Sequence, residues 1–61
     1  MISFALYIAM ASQMMCDGSP HRRECVAWAK QCLASAEDTP EGRDAQFEQC
    51  AEMIPEWVWR E

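Results

Sequence analysis

The sequence predicts an all-α domain of three helices, on three observations. Ser19-Pro20 and Thr39-Pro40 are matching helix starts, each followed by apolar residues at helical spacing. A Ser or Thr hydroxyl can accept from the partnerless backbone N–H groups of a first turn, and Pro at the first helical position gives up an N–H that has no partner there. Residues 2–15 contain neither Gly nor Pro and are rich in Ala and Met. One small domain, 1–61, follows, with residues 20–54 as an antiparallel helical hairpin.

The first helix is expected over 2–15. Its apolar positions surround the axis instead of forming one stripe, the pattern of a helix buried on several sides. Asp17-Gly18 ends it, with Gly18 as a left-handed cap. The second helix is expected over 20–36. Cys25, Trp28, Ala29, Cys32, Leu33 and Ala36 fall on one continuous face, with Trp28 as its large central knob. The third is expected over 40–54, where Pro55 stops it. Phe47, Cys50, Ala51 and Ile54 form its apolar stripe, and Glu41, Asp44, Glu48 and Glu52 form an acidic row beside it. Gly42 in its first turn costs about 1 kcal/mol relative to Ala and marks an end prone to fray.

Size and charge bound the function. A chain of 61 residues buries only about 60% of the surface its unfolded form exposes, yet 51% of these residues are hydrophobic. Self-association through the apolar first helix, as a homodimer or larger homo-oligomer, is the expected outlet. The net charge is −5, and eight of the ten acids lie from Glu37 onward. Nucleic-acid binding needs a basic face to neutralise phosphates, and the one basic cluster, His21-Arg22-Arg23, is followed by Glu24. No nucleic-acid partner is expected. No membrane span is expected either, because the apolar run Ile2 to Ala11 is about half the roughly 20 residues a span requires.

The four cysteines, Cys16, Cys25, Cys32 and Cys50, bear on compartment. An even count in a short secreted chain suggests two bridges, but no Lys or Arg precedes the apolar run, as a secretory signal normally requires. The expectation is a cytoplasmic protein with reduced, buried thiols; a secreted or periplasmic disulfide-stapled module is the alternative. In that alternative, a turn near Asp38 sets Cys25 across from Cys50, the candidate disulfide. A zinc-stabilised domain is a further alternative. Cys16, His21, Cys25 and Cys50 could surround a tetrahedral ion, but the chain has no C-x-x-C knuckle. No metal or cofactor is therefore expected.

Catalysis is not expected. A nucleophile, base and orienting group must converge in a pocket, and the single His21 with Cys16 or Cys25 is the one candidate pair. The aromatic tail carries more information. Trp57 and Trp59 follow a helix-stopping Pro, and Trp is enriched at binding hot spots. These two residues, with the row Glu41, Asp44, Glu48 and Glu52, are the candidate partner-binding residues. In size, acidity and lack of catalytic apparatus the chain resembles the small accessory proteins of temperate bacteriophages and other mobile elements. The resemblance is one of type and transfers no site residues. It implies a non-enzymatic protein that binds and modulates a host or phage factor.

Overall fold

The computed structural model describes residues 3–61. In order these form α1 (Phe4–Met15), α2 (Arg22–Leu33), α3 (Pro40–Glu52) and a single 3-10 turn, Glu56–Trp59. The all-α architecture is as expected, with α1 and α3 both packed on α2. The expected start of the first helix at Ile2 lies outside the described residues.

In α1 the Ser3 hydroxyl oxygen accepts from the Leu6 N–H at 3.1 Å, capping the first turn. The chain leaves through Gly18, whose φ of 86° is a left-handed conformation that glycine adopts without strain. Ala11, Ser12 and Met15 are buried against the rest of the fold. Ser12 can be buried there because its hydroxyl donates back to the Ile8 carbonyl, leaving no orphaned polar group.

The two Ser/Thr-Pro starts diverge. Thr39 caps α3 as expected, its Oγ1 accepting from the Gly42 N–H at 3.0 Å. Ser19 does not cap α2. Its hydroxyl accepts from the His21 N–H at 3.0 Å and donates to the Val58 carbonyl of the C-terminal turn. The helix accordingly begins two residues later than expected, at Arg22, and His21 offers it no side-chain cap. Helix α2 also stops at Leu33, short of Ala36, and α3 stops at Glu52, short of Ile54.

Gly42 has a packing reason that propensity alone does not reveal. A Cβ there would come within 2.8 Å of the Glu37 Cβ and carbonyl oxygen and 2.9 Å of the Thr39 Oγ1. The residues before α3 fold so closely over its first turn that only glycine fits.

Disulfides join Cys16 to Cys25 and Cys32 to Cys50, and the described residues contain no free cysteine. The expected reduced thiols and the candidate Cys25–Cys50 bridge are both corrected. Cys50 faces Cys32, two turns along α2 from Cys25. The register slips because residues 34–39 form a six-residue irregular connection instead of a tight turn at Asp38, so α3 folds back later. Its first turns then project beyond the end of α2.

The core is small. Ala11, Met15, Cys16, Cys25, Ala29, Leu33, Cys50 and Val58 are buried, with Tyr7, Ile8, Val26, Trp28, Phe47 and Ile54 packed partly against them. Trp28, expected at the centre, is only half-buried, and Ala51 is exposed. Both residues follow the slipped register: Trp28 borders α3 near Gln49 and Met53 instead of facing Phe47 and Ala51.

Candidate protein-binding surface

Helices α1 and α3 both pack on α2 and touch each other at one end. There the Tyr7 hydroxyl donates to the Arg43 carbonyl at 2.9 Å. The Arg43 guanidinium lies 5.6 Å from the Phe4 ring centre and 5.2 Å from that of Tyr7, within cation–π range, and is ion-paired with Asp38. From this closed end a groove of about 240 Å³ runs between the helices, lined by Tyr7, Met10, Ala11, Met14, Asp44 and Phe47. Burial holds the Tyr7 hydroxyl above its ordinary pKa, the nearby Asp44 carboxylate raises it further, and Arg43 partly opposes both.

On α1 the groove wall continues outward as an apolar row. Leu6, Met10 and Met14 are 49%, 48% and 70% exposed, one turn apart on the helix. The sequence pattern implied a helix buried on several sides, but α1 is covered on one. Along α3, Glu41, Asp44, Glu48 and Glu52 are all exposed, as expected. Among the described residues none of the four is ion-paired, and Asp44 reaches the groove itself.

The tail is neither extended nor α-helical. A 3-10 turn places successive residues about 120° apart, so Val58 points inward and is fully buried, while Trp57 and Trp59 stay 40% and 51% exposed. Sequence reasoning missed Val58 as a core residue; its position between two tryptophans hid it. The tail is pinned by Ser19 and by His21, whose Nε2 lies 2.7 Å from the Arg60 carbonyl. Because a carbonyl only accepts, this nitrogen carries the proton. His21 also meets Trp57 edge to face at 6.2 Å, so it is a clasp for the tail.

The disulfides also engage every cysteine of the other two candidate sites. Cys16 and Cys25 are bonded to each other and Cys50 to Cys32. The set Cys16, His21, Cys25 and Cys50 therefore has no thiolate to offer zinc, and His21 has no thiol to activate. No cluster of metal-ligating side chains occurs among the described residues, and none of their helices is long and apolar enough to cross a membrane. No protein-family model, curated protein or solved structure matches the chain.

Proposed function

We propose that this chain is a non-enzymatic, disulfide-stapled helical module that binds another protein in an oxidising compartment. The observation that supports binding is the exposed apolar surface, Leu6, Met10 and Met14 on α1 with Trp57 and Trp59 on the tail, in a chain whose core is already closed by other residues. Flexible thioethers and large aromatic rings left in water are characteristic of surfaces that meet a partner. The two bridges support the compartment, since disulfides persist where thiols are oxidised. This reading takes the secreted or periplasmic alternative over the cytoplasmic one. The net charge of −5 works against the pairing of identical copies, so a different protein is favoured over the homodimer suggested by composition.

Two measurements test the proposal. Thiol titration of the denatured, unreduced protein from its source cells is expected to find no free thiol; four would return the chain to a reducing compartment. In that case the modulator of a host or phage factor in the cytoplasm becomes the better reading. Pull-down with the wild type and with Trp57→Ala, Trp59→Ala and Met14→Ser variants is expected to lose a partner in at least one variant that melts like wild type. Equal capture by all four would overturn the surface.

A further inference from the structure

The groove between α1 and α3 has a distinct chemistry. Its floor and α1 wall are apolar, made by Tyr7, Met10, Ala11 and Met14, with Phe47 opposite. Its α3 edge is anionic: Asp44 lines it, and Glu41 and Glu48 stand about one turn to either side on the same helix. The carboxylates have no cation of their own among the described residues. Arg43, the nearest base, is turned to the closed end, where Asp38, Phe4 and Tyr7 hold it.

We propose that this groove binds an amphipathic helix carrying Lys or Arg along one flank, supplied by a partner protein. The proposal rests on the protein-binding reading above and names the chemistry of the partner. The shape favours a helix, because two neighbouring helices leave a channel that a third fills ridge into groove. Apolar residues at i, i+3, i+4 and i+7 of the incoming helix would cover Met10 and Met14, which can repack around different side chains. Its cationic flank would lie over Asp44 and Glu48. Charge decides between the two obvious occupants. A second copy also carries −5 and meets long-range repulsion, whereas a basic helix is drawn in and oriented.

The test uses the full oxidised chain and two synthetic peptides, each about four helical turns long. One is built from Leu and Lys in an amphipathic pattern, and the other has Glu at every Lys position. Fluorescence anisotropy is expected to show the lysine peptide binding at least about tenfold more tightly than the glutamate peptide. Raising the salt should shrink that ratio. The double variant Asp44→Lys/Glu48→Lys is expected to reverse the preference, and Met14→Gln to weaken the lysine peptide. In methyl NMR the resonances of Met10 and Met14 should shift on binding.

Equal affinity for the two peptides, or shifts confined to the tail tryptophans, overturns the proposal. So does sedimentation of the unliganded chain as a dimer that protects the Met10 and Met14 methyls, which would assign the groove to a second copy. Failure of the peptide arm while partner capture still depends on Trp57 or Trp59 sinks the groove and spares the binding module. Equal capture by the wild type, tail and Met14 variants sinks the module.

Discussion

The two sides of α2 are held in different ways. Toward α1 the seam is packed: Ala11, Ser12 and Met15 are buried there, and the Cys16–Cys25 bridge fastens one end. Toward α3 it is sparse. Cys50 is the one α3 residue fully buried, and it is itself half of the Cys32–Cys50 bridge. The remaining ties include the Gln46 amide donating to the Cys32 carbonyl at 2.9 Å and the half-buried Phe47. Both interfaces carry a disulfide, but the first also excludes water over several buried residues, whereas the second leans mainly on its covalent bond. In so small a domain the second device places a largely polar helix whose apolar area could not hold it.

The largest effect is expected at Leu33, fully buried on α2. Truncating a buried Leu to Ala costs about 2–5 kcal/mol, so Leu33→Ala should abolish the cooperative thermal transition or lower its midpoint steeply. A midpoint within a few degrees of wild type would mean that packing contributes less than supposed.

Removal of each bridge comes next. Cys32 and Cys50 are 18 residues apart, Cys16 and Cys25 nine. Loop entropy makes the losses similar, about 3 kcal/mol against about 2.5. What should differ is location. Amide exchange in Cys32→Ala/Cys50→Ala is expected to rise throughout α3 while α1 stays protected. Cys16→Ala/Cys25→Ala should destabilise the whole without freeing α1 selectively, and selective exposure of α1 would erase the contrast.

The tail extends the comparison to its smallest element. Val58→Ala should cost about 2 kcal/mol because a fully buried apolar side chain is truncated, whereas Trp59→Ala should change stability by less than about 1 kcal/mol. Urea melts would show the inversion, with the smaller residue mattering more. The slightest effect belongs to the Tyr7–Arg43 tie across the groove. The folded protein favours the neutral Tyr7 hydroxyl, through burial first and the Asp44 carboxylate second. Its folded pKa therefore lies above the unfolded value. Its contribution is complete below pH about 10 and is lost as pH rises through the folded pKa. Stability should thus decline at alkaline pH in wild type, and the decline should be shallower in Tyr7→Phe; identical slopes would detach Tyr7 from the effect.

Much of the fold was legible because it depends on local chemistry. The Gly18 exit, the Thr39 cap and the presence of three helices all follow from neighbours in sequence. What escaped depends on residues far apart. Ser19 and Thr39 carry the same signal, and only the tail's arrival at Ser19, 39 positions away, diverts one of them. The disulfide pairing turned on hairpin register, which an irregular connection at 34–39 shifted by two turns. Of the proposed binding surface, the exposure of the acidic row and of the tryptophans was legible. The groove was not, since it exists only between helices that are not neighbours in the chain.

The bridges pair each cysteine with the next along the chain, Cys16 with Cys25 and then Cys32 with Cys50. Four cysteines admit three pairings, and this one alone is not nested or interlaced. Where such a chain is threaded N-terminus first into an oxidising compartment, Cys16 meets its native partner before any competitor emerges. By the time Cys32 appears, the first pair can already be closed, and Cys32 has only to wait for Cys50. Correct connectivity then follows from the order of arrival, and the chain has little need of thiol–disulfide reshuffling to reach it.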